Sequence, residues 1–204
     1  MRRSRLIRLL EEVEGFPDPS AELEQVITPS EAAADLLLEA LARGDLEDRT
    51  VIDLGTGTGR LAIGAALLGA RRVRAVDLSE GAIDVARNEA KRLGARAEFE
   101  VGHVADCRIV EQTVIMNPPF GAQRRRADRP FWSSALSGPG RAVYSFTSGE
   151  SRSFIERLAV ERHARIEATR PVDWDLPRTF AHHRRPSVKL LVDLWVLRTA
   201  EGRS

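Results

Sequence analysis

The chain has 204 residues, 43% of them hydrophobic, which suits one domain spanning 1–204 with a helical extension over residues 1–30. Its 31 Lys and Arg nearly balance its 30 Asp and Glu, so a net charge of +1 excludes any argument for nucleic-acid binding from bulk basicity, and charge placement must carry that case. One cysteine and four histidines without ligand spacing give no sign of disulfides or a bound metal, and no apolar run approaches the ~18 residues of a membrane span, so a cytoplasmic protein is expected.

Leu6, Leu9, Leu10 and Val13 share one face of a predicted helix over residues 5–14, which Gly15-Phe16-Pro17-Asp18-Pro19-Ser20 ends in a turn, making a short lid or prop. A second helix is predicted with Thr28 as N-cap, Pro29 in its first position and Glu31 closing a capping box. Ala32 to Ala42 supply its body and Gly44 stops it. Gln25 has no role in that helix, which makes it a candidate contact to a bound cofactor.

Residues 50–106 alternate strand, glycine turn, helix, strand, acid, helix, strand, acid, the order expected of a parallel sheet wound on both sides. Thr50–Leu54 is the first strand and runs into Gly55-Thr56-Gly57-Thr58-Gly59-Arg60 before a helix over 61–68. A dinucleotide site would want glycine at 55, 57 and 60, so Arg60 counts against NAD. Asp53 followed by glycine at every second position is instead similar to the S-adenosylmethionine turn of class I methyltransferases. Val73–Val76 is the second strand, and Asp77 at its end is placed to take both ribose hydroxyls, with a strand-end acid as the plainer alternative. Ser79 is the better cap for the helix over 80–93. The third strand covers 97–102. After it, Asp106 beside Cys107 stands over the adenine end of the cofactor, where a carboxylate can accept the adenine amine; a solvated loop acid is the alternative.

Thr113–Met116 is the fourth strand and delivers Asn117-Pro118-Pro119-Phe120 to the carboxyl edge of the sheet. An exocyclic amine such as adenine N6 is a poor nucleophile, because its lone pair is delocalised into the ring. The Asn117 side-chain oxygen and the Pro118 carbonyl can each accept one N–H, and the prolines fix φ near about −65° to keep those acceptors aimed. Phe120 can stack on an extruded base, a contact worth ~1–3 kcal/mol. Alternatively the turn merely ends a strand and Phe120 is core. Methyl donor and acceptor sites meeting at one sheet edge favour an amino methyltransferase.

The run 123–132 follows directly, and Arg124, Arg125, Arg126 and Arg129 can clamp phosphates there, unless it is a solvated charge run. A fifth strand over 141–146, a helix over 151–162 and a second basic segment with His182, His183, Arg184 and Arg185 complete the pattern.

The chain resembles the methyltransferase-like protein five family, small-subunit rRNA adenine-N6 methyltransferases, as an archaeal-like member. The likeness runs through Gly15-Phe16, Leu23-Glu24-Gln25 before Thr28, Asp53-Leu54-Gly55, Met116 to Gly121, Asp175-Leu176-Pro177 and Ser187-Val188. It implies an α/β class I methyltransferase fold, a Rossmann-like doubly wound seven-stranded sheet with its last strand antiparallel and residues 164–173 and 188–197 as the closing pair. It implies that Gln25, Thr28, Gly55, Thr58, Arg60, Asp77, Asp106 and Cys107 line the S-adenosylmethionine site. Asp53, Gly57, Leu78 and Asn117 are counted with that site, and Asn117 to Phe120 hold the target adenine. Arg60 replaces an apolar position of the family, so its contact is expected through the backbone. The implied partners are structured rRNA and a small zinc-binding activator protein added along the third strand, expected at the sheet edge. Two other functions fit the same fold: a protein glutamine N5 methyltransferase acting on a translation factor, whose motif usually ends in Tyr, and a non-catalytic RNA-binding assembly protein.

Overall fold

Parallel strands covered on both faces need apolar side chains at nearly every position, and Val51–Leu54, Val73–Val76 and Val114–Met116 largely meet that demand. The computed structural model describes residues 1–20, 22, 24–121, 124–138, 141–176 and 188–200, with the backbone alone at 175–176 and 188–190. The runs become the centre of a seven-stranded sheet ordered β3-β2-β1-β4-β5-β7-β6. Its strands are β1 (Thr50–Leu54), β2 (Arg72–Asp77), β3 (Glu98–Val101), β4 (Thr113–Met116), β5 (Ala142–Ser148), β6 (Arg165–Leu176) and β7 (Val188–Arg198). The first five pair in parallel, and β7 runs antiparallel between β5 and β6.

Alternate strand residues feed two cores. Val51, Ala75, Ile115 and Tyr144 pack with α1 (Arg3–Glu11), α2 (Ser30–Ala42), α3 (Arg60–Leu67) and α4 (Glu80–Leu93). Ile52, Val76, Met116 and Val143 face α5 (Arg129–Ala135) and α6 (Arg152–Glu161) on the opposite side. Leu6 and Leu10 bring α1 into the first core as predicted, each fully buried and worth about 1.5–3 kcal/mol. Among the described residues no helix is long and apolar enough to cross a membrane.

β1, β4 and α4 lie at the predicted residues, and α4 is capped by Ser79, whose Oγ accepts from Ala82 N at 3.3 Å. Two expectations fail. Thr28 does not cap α2, which starts at Ser30 with Pro29 before it and no side-chain cap. The run 123–132 is not wholly an open basic loop, because Arg129 begins α5, Trp132 is fully buried and Ala135 packs beside it. The Arg129 guanidinium stands 4.7 Å over the Phe154 ring, a stack that orients it while leaving its in-plane N–H donors open. The segment with His182, His183, Arg184 and Arg185 lies outside the described residues. It joins two strands whose pairing runs on to Leu176 and Val188, beyond the Ser148–Val192 pair that ends β5, so the ribbon projects past the carboxyl edge of the sheet.

Candidate active site

β1 and β4 are neighbours in register, Leu54 beside Met116, so the glycine turn and the Asn117 turn leave the same edge side by side. β2 flanks β1 on its other side and delivers Asp77 to that edge.

The glycine turn needs its glycines. Gly55 and Gly57 have φ of 69° and 55°, and an added Cβ would stand 2.6 Å from the Phe131 ring or 2.7 Å from the Phe16 ring. Asp53 pins the turn to α3: its Oδ2 accepts from Thr56 Oγ1 at 2.6 Å and from Ala62 N at 3.0 Å. Burial pushes the Asp53 carboxyl up to about 7, against the pull of those two hydrogen bonds and with a further push from Asp77. Asp77 accepts from Gly57 N at 2.8 Å and Ser79 N at 2.9 Å, so it organises the glycine turn itself. Burial raises its pKa and those amides partly offset the rise. Each of its oxygens keeps a second acceptor position.

Asn117 Nδ2 donates to Thr28 Oγ1 at 2.9 Å, which gives Thr28 the long-range role that replaces capping. The Asn117 Oδ1 is buried without a hydrogen-bond partner, as are Asp53 Oδ1 and Thr58 Oγ1. Asn117 lines both a cavity of about 330 Å³ and a smaller one of about 40 Å³. The large cavity is walled by Phe16, Glu24, Gln25, Gly55, Gly57, Asp77, Leu78, His103, Val104, Pro119, Arg124, Arg125, Arg126 and Phe131. The small one is lined by Thr28, Asp53, Thr58 and Arg60. Buried orphan oxygens are costly and call for a ligand. Asp53 Oδ1 and Thr58 Oγ1 suit the ammonium group at the amino-acid end of S-adenosylmethionine, and Asp77 beside the exposed Leu78 suits its ribose and flat base.

A strap between α1 and α2 closes one side. Arg60 spans its two ends, with Nη1 donating to Thr28 O at 2.7 Å and Nη2 to Val13 O at 3.0 Å, and burial pulls its pKa down to about 10. The Arg60 side chain thus holds the strap, which the expectation of a backbone contact did not foresee. Gln25 lines the cavity but also has a local role: its Oε1 accepts from Ser20 N at 2.8 Å. Glu24 reaches across to the far wall, accepting from Gly121 N at 3.0 Å and Arg124 N at 3.4 Å.

Four expected residues stand apart from the cavity walls. Asp106 is exposed, and Cys107 packs on the second core with its thiol donating to His103 O at 3.6 Å; His103 and Val104 line the cavity from the same loop instead. Pro118 is buried. Phe120 meets Trp174 edge to face at 5.5 Å, and Trp174 meets Phe146 at 5.0 Å, so the ring anchors the turn to the core. The aromatic rings at the cavity are Phe16 and Phe131. The glycine and prolines flanking Phe16 marked a lid, whereas nothing local marks Phe131.

Residues 30–117 match the family model of ribosomal protein L11 methyltransferase (PrmA). The chain is 31% identical to a protein of Methanocaldococcus jannaschii over 94% of this chain and 92% of that one. It is 32% identical to the rRNA N(6)-adenosine-methyltransferase METTL5 of Danio rerio, over 95% of this chain and 97% of that one. The crystal structure of "a putative RNA methyltransferase" from Pyrococcus horikoshii superposes with a TM-score of 0.89 at 35% identity, covering 98% of both chains.

Proposed function

The chain belongs to the METTL5-related family of class I S-adenosylmethionine-dependent methyltransferases, and on that premise we propose that it methylates the N6 amine of an adenosine in small-subunit rRNA. The observation that carries this reading is the buried, unpartnered Oδ1 of Asn117 at the junction of the two cavities. The bound cofactor supplies a methyl group activated on a sulfonium. Asn117 Oδ1 would take one amine hydrogen, which draws the nitrogen lone pair out of the ring and toward the methyl carbon, whereas Pro118, buried away from the cavity, is not assigned a contact. Transfer would form the N–C bond as the C–S bond breaks, and the nitrogen would then shed a proton to water without a dedicated base. Thr28 orients the Asn117 amide, and the Phe120–Trp174 contact fixes the turn that carries it.

Arg124, Arg125 and Arg126 supply the phosphate-facing wall, and among the described residues they form no ion pair. His182, His183, Arg184 and Arg185, in the sequence between β6 and β7, remain as further proposed RNA contacts. The same proposal includes a small zinc-binding activator along β3, the edge strand. Val101 ends that strand 51% exposed, and Glu98 and Glu100 pair back to Arg72 and Arg74 of β2, which keeps them from competing for a partner strand. Labelled cofactor incubated with small ribosomal subunits should yield N6-methyladenosine at one position. Label appearing on a release-factor glutamine instead would replace this reading with the glutamine methyltransferase.

A further inference from the structure

Glu24 adopts φ of +50°, a left-handed conformation that side-chain-bearing residues rarely take. From there its carboxylate crosses the cavity to two backbone amides of the loop just past the Asn117 turn, Gly121 N at 3.0 Å and Arg124 N at 3.4 Å. Two residues near it also have positive φ, Gly121 at +83° and Arg126 at +67°, and the Gly121 and Arg124 N–H groups meet at the one carboxylate. Arg124, Arg125 and Arg126 line the same wall. Two convergent amides on a wall that three arginines also line make an anion site, and the protein fills it with its own carboxylate.

We infer that this notch is the seat of an RNA phosphate and that Glu24 stands in for that phosphate until RNA arrives. The inference rests on the RNA reading above. An adenosine whose base reaches Asn117 must lead its backbone past the residues that follow Phe120, and Gly121 to Arg126 are those residues. A phosphodiester carries the charge and the acceptor oxygens that Glu24 offers, and it gains the three arginines as well. Its arrival expels Glu24, which loosens the strap wall that carries Phe16 and Gln25. Glu24 is thus an internal competitor that sets the RNA affinity of the resting protein.

The test is RNA binding by the full chain, measured with a labelled RNA hairpin bearing unpaired adenosines, with S-adenosylhomocysteine present, across a salt series. Glu24→Gln and Glu24→Ala should both bind the hairpin more tightly, by about 3- to 10-fold at low salt. The salt slope should stay close to that of the wild type, because the phosphate occupies the notch in both complexes and the substitution removes only its competitor. Glu22→Gln removes the same charge from the same cavity wall and should tighten binding no more than about twofold. Binding that is unchanged or weaker in both Glu24 variants, with urea midpoints showing them folded, overturns the competitor and leaves Glu24 a strap latch. Equal tightening by Glu22→Gln overturns it too, by reducing the effect to general repulsion. If the wild-type chain methylates rRNA while the Glu24 variants fail these expectations, only this inference falls. If the wild type neither binds nor methylates RNA, the RNA reading falls and takes this inference with it.

Discussion

Asp45 and Asp53 are both buried carboxylates, at opposite ends of β1, and they are treated in opposite ways. Asp45 sits where the parallel strands begin, and each of its oxygens is used. Oδ2 accepts from Tyr144 Oη at 2.6 Å and Arg198 Nη2 at 2.8 Å, and Oδ1 accepts from Arg198 Nη1 at 3.2 Å. Arg198 also donates to Glu167, so the carboxylates hold its guanidinium above its ordinary pKa, while burial and the Asp45 hydrogen bond raise the Tyr144 hydroxyl. Asp53 sits where those strands end, with one oxygen used and the other unpartnered, beside two further orphan oxygens on Thr58 and Asn117. A saturated network ties the turn after α2 to β4, β5, β6 and β7. An unsaturated one costs about 1–3 kcal/mol per group, and only a bound partner offsets that cost. Between these two aspartates, it is the satisfaction of the carboxylate oxygens, rather than burial itself, that differs.

The sharpest way to break this contrast is Asn117→Ala. It should cut methyl transfer ~100-fold or more and leave cofactor affinity within about twofold. A variant that kept more than about a tenth of the rate, a barrier change under ~1.4 kcal/mol, would remove Asn117 from the acceptor role. Asp77→Ala comes next. It should weaken cofactor binding by about 1.5–3 kcal/mol, because it removes a charged acceptor and also unfastens Gly57 N. Calorimetry that returned an unchanged affinity would deny Asp77 any part in the site.

Asp45→Ala should do the reverse of both. Urea unfolding should show a loss of about 1–3 kcal/mol, kept to this range because Arg198 remains about a third exposed, while the folded protein binds cofactor normally. A comparable loss of cofactor affinity would mean that the two ends are coupled.

A last expectation concerns pH. Asp53 titrates near 7 in the ligand-free fold against an ordinary value of 3.8. Between those values the unfolded chain loses its proton while the folded chain keeps it, so Asp53 makes the ligand-free protein less stable as pH climbs through that window. A cationic ligand end favours the carboxylate, so binding releases a proton and affinity should rise with pH up to about 7 and then level. Asp53→Asn should flatten that rise and stabilise the ligand-free protein at neutral pH. A profile equally steep in the variant would assign the titration elsewhere.

Much of this organisation was legible because its signals are local. Alternation and glycine spacing mark β1 and its turn, Ser79 and Gly94 bracket α4, and Thr113–Met116 leads straight into Asn117. The failures share one cause, a partner far away in sequence. Thr28 reads as a cap until Asn117 is seen beside it, and nothing local to Phe120 announces its edge-to-face contact with Trp174. Helix α5 was hidden because the arginines ahead of it drown the short apolar face of Phe131, Trp132 and Ala135. Glu24 gave no sign, since its role depends on amides of a loop brought near only by the fold.

Arg60 holds Val13 O and Thr28 O with one guanidinium, and so fastens both ends of the strap to the start of α3. A segment pinned at both ends can be severed without coming apart. A Glu-specific protease cutting after the exposed Glu22 would leave α1 seated by Leu6, Leu10 and Val13 and still held through Val13 O. The nicked protein should therefore migrate as two pieces under denaturing conditions and as one species in native chromatography. In an Arg60→Met variant the smaller piece should drift free.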